Sequence, residues 1–197
     1  MIPRLDSPGH IPAWQTALTR GFSSVEALLG HLGISSAPPL PAAAAEFPLR
    51  VPLSFVERME PGNIDDPLLR QVLPVAEENT DHPGYSCDPL DESHAMPVPG
   101  LLHKYHGRAL LTLTGACALH CRYCFRRHFP YPDANPVGSY WEQAVDHLSR
   151  QTDIHEIILS GGDPLLLGDR QLTELITQLA DIPHLKRLRV HSRMPVV

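Results

Sequence analysis

The hydrophobic pattern of the sequence changes character near residue 100. Before that point, apolar residues follow helical spacing only in short stretches, and the clearest stretch predicts an amphipathic helix that ends near Gly33. Its apolar positions are Val25, Leu28, Leu29 and Leu32. Two S-x-x-E tetrapeptides, Ser23 to Glu26 and Ser54 to Glu57, have the form of capping boxes and predict where this helix and a second, short helix begin. The first part of the chain is therefore expected to be mostly helical.

The second part alternates short apolar runs with amphipathic stretches. The runs at 108–114, 156–160 and 188–191 predict strands. The stretches between them predict two helices, the first of which opens at a box from Ser139 to Glu142. Their apolar faces contain Trp141, Ala144, Val145 and Leu148 in the first helix, and Leu172, Leu175, Ile176 and Leu179 in the second. This alternation predicts parallel β-α-β units, whose chemistry lies at the carboxyl ends of the strands.

The composition is typical of a globular protein with an irregular first half. The chain has 197 residues, of which 43% are hydrophobic and 19% are charged. Its 21 prolines are about twice the average share, and most of them precede residue 100. A proline- and alanine-rich stretch at 35–52 predicts an extended linker. We therefore expect a proline-rich N-terminal region at 1–100 and an α/β part at 101–197.

The charge balance and the lack of long apolar runs exclude two classes of partner. A formal net charge of -6 argues against a protein that binds nucleic acid through bulk positive charge. No apolar run approaches the roughly 20 residues that a membrane helix needs. We expect a cytoplasmic protein that binds neither nucleic acid nor membrane.

Three of the four cysteines form a C-x3-C-x2-C pattern at Cys117, Cys121 and Cys124. Structural zinc sites and most iron–sulfur clusters take four protein ligands, so three thiolates leave one metal position open. The alternative is a zinc site completed by His120 or His128 in an interaction module. Cys87 lies alone in a proline-rich loop and is expected to be unligated.

The cysteine pattern resembles the signature of the radical S-adenosylmethionine (SAM) superfamily, in which an aromatic residue, here Tyr123, precedes the last cysteine. The resemblance implies a 4Fe-4S cluster whose open iron is chelated by SAM. The segment Ser160-Gly161-Gly162-Asp163 looks like the family's glycine-rich segment that binds the SAM amino group, in which Asp163 would accept from the ammonium group. His191, at the end of the third predicted strand, is a candidate for the SAM or substrate pocket, with a purely structural role as the alternative.

Longer motifs narrow the resemblance to the lysine 2,3-aminomutase family. They are HKYHGRALLTLTGACALHCRYCFRRHFPY at 103–131, ILSGGDPL at 158–165 and LRVHSRMPVV at 188–197, together with DDPLLRQVLP and GYSCDPLDE in the first half. Within the family they are most similar to the enzymes that supply β-lysine for the modification of elongation factor P. The resemblance implies a TIM-like radical SAM barrel, of which this chain would form about the first three β/α units.

The family uses SAM, the cluster and pyridoxal 5'-phosphate (PLP) to move the α-amino group of L-lysine to the β-carbon. By motif position, Arg126 would bind the lysine carboxylate, Arg108 the PLP phosphate, and Tyr105 would lie beside PLP. A guanidinium suits a carboxylate because it binds bidentately. The alternative for Arg126 is a solvated basic face shared with Arg127 and His128, and the alternative for Tyr105 is ordinary packing.

The resemblance also implies partners. These are an electron donor such as flavodoxin or ferredoxin, a functional link to elongation factor P and its lysyl-transferring ligase, and the possibility of a homo-oligomer. A lysine 2,3-aminomutase of lysine catabolism or β-lysine biosynthesis is the alternative enzyme. The two differ in the β-lysine enantiomer formed, which the sequence leaves open.

The chain departs from the family at the lysine that anchors PLP. Its two lysines are Lys104, inside the motif expected to contact PLP from the other side, and Lys186, before the third predicted strand. Neither fits the anchoring role. We therefore expect 1–197 to be an amino-terminal portion of a longer protein and to be inactive as an isomerase by itself.

Overall fold

The computed structural model describes residues 13–35, 47–80, 82–134 and 140–197. These residues form two compact units, each with its own hydrophobic core. The first unit contains the described residues up to Thr80, together with Leu119–Tyr123 and Val197, and the second contains the other described residues. These two units do not correspond to the two regions predicted from the sequence, 1–100 and 101–197. The boundary near residue 100 stays a prediction. Most of the predicted linker at 35–52, and Ser139, lie outside the described residues.

The first unit is built from short helices and one small antiparallel β-ladder. Its elements are α1 (Ala13–Thr19), β1 (Gly21–Phe22), α2 (Val25–His31), β2 (Val51–Pro52) and α3 (Leu53–Val56), followed by 3-10 turns at Leu69–Gln71 and Ala76–Asn79. Strand β1 pairs with β2 through Phe22 and Val51. All four apolar positions predicted for α2 are buried, and Gly33 follows this helix with a φ of +70°. The predicted helix and its end are confirmed.

Both predicted capping boxes in this unit are wrong by one position or more. The N-cap of α2 is Ser24, not Ser23, because the Ser24 hydroxyl accepts a hydrogen bond from the amide of Ala27. Helix α3 begins at Leu53 after Pro52, which supplies no side-chain cap. Ser54 therefore lies inside that helix. Adjacent serines and a proline at the helix start make the register of a cap ambiguous in sequence.

The second unit contains a sheet of four strands in its described residues. These are β3 (Leu101–Tyr105), β4 (Arg108–Thr112), β5 (Glu156–Ser160) and β6 (Arg187–Val190), in the order β3-β4-β5-β6. Strands β3 and β4 form an antiparallel hairpin, whereas β4, β5 and β6 are parallel. Thr112 pairs with Ser160 at the carboxyl ends of β4 and β5. The segments that follow these strands therefore leave the same edge of the sheet.

The three predicted strands are confirmed within one or two residues, but β3 was not predicted. Its sequence LLHKY is followed directly by His106 and Gly107 and then by β4. The polar residues around this turn interrupt the alternation of apolar and polar positions that would predict a strand. Gly107 has a φ of +77°, which suits a tight hairpin turn. A bulge between Leu102 and Tyr105 further breaks the period of two. The hairpin places Tyr105 and Arg108 opposite each other.

Helices α4 (Tyr131–Ala134), α5 (Tyr140–Arg150) and α6 (Asp169–Ala180) complete the second unit, with 3-10 turns at Ser93–Ala95, Pro164–Leu166 and Met194–Val196. Ala144 and Leu148 of α5 and Leu175 and Leu179 of α6 are buried against the sheet residues of the core. Ile176, predicted to belong to the apolar face of α6, is 39% exposed. The buried face of this helix is therefore narrower than the apolar face predicted from the sequence. In the described residues, no helix combines the length and apolarity required to cross a membrane.

Candidate functional site

The cysteine loop follows the carboxyl end of β4. All four cysteines lie within the described residues, and none of them forms a disulfide. Cys117, Cys121 and Cys124 are half-buried, whereas Cys87 is exposed. Three thiols on one loop have the donor chemistry of a 4Fe-4S cluster, in which each cysteine binds a different iron. The donor set therefore fits a cluster with one iron left open.

The glycine-rich segment after β5 packs directly against the chain that leads into the cysteine loop. A Cβ atom at Gly161 would lie 2.5 Å from the carbonyl oxygen of Thr114, and one at Gly162 would lie 2.2 Å from that of Ala116. The amide of Gly162 donates to the Thr114 carbonyl at 2.5 Å. Because any side chain would separate these backbones, the two glycines are required for this contact. The structure thus brings the predicted SAM-binding segment to the residues just before Cys117.

Asp163 is buried, and its carboxylate accepts four hydrogen bonds from other groups of the protein. Its Oδ1 accepts from the amide of Leu165 at 3.0 Å and from the hydroxyl of Ser192 at 2.8 Å. Its Oδ2 accepts from the amides of Arg193 at 2.7 Å and Met194 at 3.1 Å. A carboxylate offers about four acceptor sites, so this geometry ties the turn after β5 to the turn after β6. Asp163 as the acceptor of a SAM ammonium group stays a prediction.

Arg126 is buried in the second unit and is held by a two-point ion pair. Its Nε and Nη2 donate to the Glu92 carboxylate at 2.8 and 2.6 Å, and its Nη1 donates to the Ser160 hydroxyl at 3.0 Å. The guanidinium also lies 4.8 Å from the ring centroid of Phe125. The alternative of a solvated basic face is therefore wrong for Arg126, which is 7% exposed.

An open cavity of about 150 Å³ lies beside the β3–β4 hairpin. Its polar lining consists of Glu92, Lys104, Tyr105 and Arg108, and its apolar lining of Leu90, Ala95, Leu102, Ala109, Leu110 and Ile158. The structure therefore brings together Tyr105 and Arg108, the two residues predicted to contact PLP. The Lys104 ammonium donates to the Leu90 carbonyl. Glu92 lines this cavity and also pairs with Arg126, so the two predicted sites share a residue.

Tyr123 and His191 are placed differently from these groups. Tyr123 is 65% exposed, and its hydroxyl donates to Oε1 of Gln71 at 3.2 Å within the first unit. His191 is exposed just beyond β6, where its amide donates to the carbonyl of Leu159. Their roles in cofactor binding stay predictions.

The sequence of this chain is similar to those of known proteins. A sequence profile described as the radical SAM superfamily matches residues 111–197. The chain is 50% identical over 199 residues to the L-lysine 2,3-aminomutase of Escherichia coli (strain K12), covering 100% of this chain and 58% of that protein. The L-lysine 2,3-aminomutase of Haemophilus influenzae is 46% identical over 187 residues, covering 93% of this chain and 55% of that protein.

The chain belongs to the lysine 2,3-aminomutase family of radical SAM proteins. A more divergent relative, the L-lysine 2,3-aminomutase of Clostridium subterminale, is still 32% identical over 188 residues, covering 93% of this chain and 45% of that protein. This chain spans less than two thirds of the length of each of these relatives. Membership in the radical SAM superfamily implies a 4Fe-4S cluster and SAM.

Family membership leaves the zinc-module alternative without support. The radical SAM profile spans the cysteine loop, and it is this match that favours a cluster over zinc there. The ring of His120, one of the two histidines considered as a zinc ligand, lies with Nδ1 2.8 Å from the Pro48 carbonyl.

Two residues near the lysine 2,3-aminomutase motifs were missed in the sequence. Glu92 is the last residue of the motif GYSCDPLDE. Its place in that motif was the only signal in the sequence that could have identified it.

Tyr131 is the last residue of the motif that contains the cysteines. Its ring packs on Gly115, where a Cβ atom would lie 2.9 Å from the Tyr131 Cγ. Burial raises the pKa of Tyr131 well above its usual value, although the nearby Arg126 opposes this effect.

Proposed function

We propose that this chain provides the cluster-, SAM- and PLP-binding part of an enzyme that isomerises L-lysine to β-lysine. The observation that carries the proposal is the position of Glu92, which pairs with Arg126 and lines the cavity of Tyr105 and Arg108. A substrate whose amino group meets a cofactor in that cavity has its carboxylate a short distance away. Arg126 and the cavity would thus serve one bound amino acid.

The cluster would be held by the thiolates of Cys117, Cys121 and Cys124, with SAM on the open iron. The backbone at Gly161 and Gly162 would bind the SAM amino group, because the two glycines bring this segment against residues 114–116. Asp163 supports that placement by fixing the turn in which the glycines lie, through its bonds to Ser192 and to the amides beyond it. The cluster supplies the electron that cleaves SAM.

The cavity has the chemistry of a site for an aromatic phosphate such as PLP. Arg108 offers a guanidinium to a phosphate, and the ring of Tyr105, 61% exposed, is available to lie beside the cofactor ring. Apolar side chains on β3, β4 and β5, among them Leu102 and Ile158, form the wall of the cavity. When bound, PLP would supply the carbonyl group that carries the lysine amino group during its migration. The chain's own residues bind and orient it.

Arg126 would bind the lysine carboxylate with the donors that Glu92 does not use. A guanidinium has five N–H donors, and three of them bond Glu92 and Ser160. One hydrogen on Nη1 and one on Nη2 remain as donors for a carboxylate. Glu92 therefore orients Arg126 without blocking it.

We infer further that the product serves the modification of elongation factor P, with the lysyl-transferring ligase and a flavodoxin- or ferredoxin-type electron donor as partners. The support is the similarity of the motifs at 103–131 and 158–165 to that branch of the family. A catabolic or biosynthetic lysine 2,3-aminomutase is the alternative. The second unit would be the first three β/α units of a TIM-like barrel, since β4, β5 and β6 are parallel and follow each other in the sheet.

Product analysis tests the proposal. The protein is reconstituted anaerobically with iron and sulfide, then incubated with PLP, SAM, dithionite and L-lysine, both as the 197-residue chain and within its full reading frame. β-Lysine from the full reading frame, detected by chiral chromatography and mass spectrometry, is the expected result. Its enantiomer separates the elongation-factor branch from the alternative. A cluster that cleaves SAM but leaves lysine unchanged in both forms would refute the aminomutase assignment.

A further inference from the structure

The middle of the cysteine loop is built into the first unit. Leu119 is 4% exposed and belongs to the hydrophobic core of that unit, and Cys121 packs against the same core. The amide of His120 donates to the Arg50 carbonyl at 2.9 Å, and that of Arg122 donates to the Gln71 carbonyl at 2.8 Å. The backbone on both sides of Cys121 is therefore fixed by segments that lie about 50 to 70 residues earlier in the chain.

Arg122 anchors this segment through a buried ion pair with Glu78. Its Nε and Nη2 donate to the two carboxylate oxygens at 2.9 and 2.5 Å, and its Nη1 donates to the Phe47 carbonyl at 2.6 Å. The side chains of Arg122 and Glu78 are 6% and 10% exposed. Oε1 of Glu78 also accepts from the amide of Val75, which ties the carboxylate to the turn at Ala76–Asn79.

His120 supports the same segment from the other side of Cys121. Its ring stacks on Phe47 at a centroid distance of 4.8 Å and an interplanar angle of 17°. Its Nδ1 lies 2.8 Å from the Pro48 carbonyl, which can only accept, so Nδ1 carries the proton. The Arg122 guanidinium carbon also lies 5.1 Å from the Phe47 ring centroid, so Phe47 contacts the residues on both sides of Cys121 in the chain.

We propose that the Arg122–Glu78 pair is a positioning device for the Cys121 thiolate and sets how firmly the iron–sulfur cluster is retained. The inference rests on the proposed cluster, and it assigns to Glu78, a residue outside the cysteine loop, control over the middle ligand. A two-point guanidinium–carboxylate contact fixes orientation as well as distance. Because Arg122 is the residue next to Cys121, fixing its side chain and amide restricts the rotation of the thiol-bearing backbone. Residues that orient ligands in this way typically change metal affinity by about 10- to 100-fold when they are replaced.

The test compares Glu78→Gln with Glu77→Gln, an isosteric change at the exposed neighbour in the same turn. Each protein is reconstituted anaerobically, and the rate of iron loss to a chelator and the electron paramagnetic resonance spectrum of the reduced cluster are recorded. We expect iron loss about 10- to 100-fold faster for Glu78→Gln with an altered spectrum, and no change for Glu77→Gln. Equal rates and spectra in wild type and Glu78→Gln would overturn the inference. Failure of the wild type to take up iron would instead refute the proposed cluster itself.

A second variant keeps the test decisive if Glu78→Gln unfolds. Replacing both members of the pair, Arg122→Met with Glu78→Met, removes the buried charges together, which proteins often tolerate. The circular dichroism melting temperature of the metal-free protein reports the fold independently of the cluster. A folded double variant that loses iron as fast as expected for Glu78→Gln supports positioning by the pair. One that retains iron like the wild type refutes it.

Discussion

The guanidinium of Arg126 and the carboxylate of Glu92 form a buried two-point ion pair between residues 34 positions apart. Their side chains are 7% and 10% exposed, so both charges are largely removed from water. The pair joins the segment just after the cysteines to a wall of the cavity beside the β3–β4 hairpin. Under the proposed function, this pair would allow one amino acid to reach both Arg126 and the cavity.

Replacing Arg126 by lysine should weaken both stability and lysine recognition. One ammonium cannot bind Glu92 at two points and Ser160 as well, so we expect a loss of about 1.5–3 kcal/mol in the free energy of unfolding. In the proposed lysine 2,3-aminomutase, the KM for lysine should rise and turnover should fall, with SAM affinity unchanged. Urea denaturation and steady-state kinetics measure these effects, with Arg170→Lys on the exposed face of α6 as the control. A fall in SAM affinity with unaltered lysine kinetics would assign Arg126 to another site.

The three clustered cysteines should be equally necessary for the cluster, and Cys87 should not be necessary. Cys117, Cys121 and Cys124 are half-buried on one loop, whereas Cys87 is exposed in a different segment. Single replacement of each cysteine by alanine, followed by iron and sulfide analysis after anaerobic reconstitution, provides the measurement. If Cys87→Ala loses as much iron as Cys121→Ala, the assignment of the three clustered cysteines as the cluster ligands is wrong.

Asp163 should stabilise the second unit by joining two turns. Asparagine at this position retains one acceptor oxygen and faces the remaining donors with an amide, so at least one buried amide or hydroxyl loses its partner. We expect Asp163→Asn to lower the free energy of unfolding by about 3 kcal/mol. Asp169→Asn, at the exposed start of α6, is the matched control. Chemical denaturation of the metal-free proteins measures the difference, and equal stabilities of the two variants would show that the four contacts contribute little.

His120 should make stability depend on pH. Burial lowers the pKa of His120 below its usual value of 6.5, and the nearby Arg50 and Arg122 add to this effect, although the hydrogen bond to Pro48 opposes it. Below about pH 6.5 the unfolded chain binds a proton that the folded chain does not, so the free energy of unfolding falls as the pH decreases. The slope from one such proton is at most about 1.4 kcal/mol per pH unit. Denaturation at several pH values should show this slope in wild type and in a control His128→Gln, and a smaller one in His120→Gln.

Much of the sheet could be predicted from the sequence because its determinants are local. The apolar runs of β4 and β5 are short and continuous, and the faces of the helices between them keep helical spacing. Strand β3 could not be predicted, since its alternation is broken by the polar hairpin turn and a bulge. The cap at Ser24 was misplaced because Ser23 offers the same chemistry one residue earlier.

For the candidate site too, only features with a local signal could be predicted from the sequence. Cysteine spacing and paired glycines are local signals, and Arg126 could be singled out by its position after Cys124. Its partner Glu92 could not be predicted, because an ion pair across 34 residues depends on how the chain folds back. The pair of Arg122 and Glu78 was missed for the same reason, because its members lie 44 positions apart in the chain. The sequence thus identified Arg126 but not the carboxylate that pairs with it.

Anaerobic reconstitution followed by incubation with SAM and dithionite is the most direct test of the central claim that this chain carries a radical SAM site. Iron, sulfide and zinc are quantified first, and 5'-deoxyadenosine is then measured by chromatography, with the Cys117→Ala protein as the control. We predict about four iron atoms and four sulfides per chain and 5'-deoxyadenosine that forms only in the wild type. Stoichiometric zinc without iron, or intact SAM in the presence of a fully assembled cluster, would contradict the account.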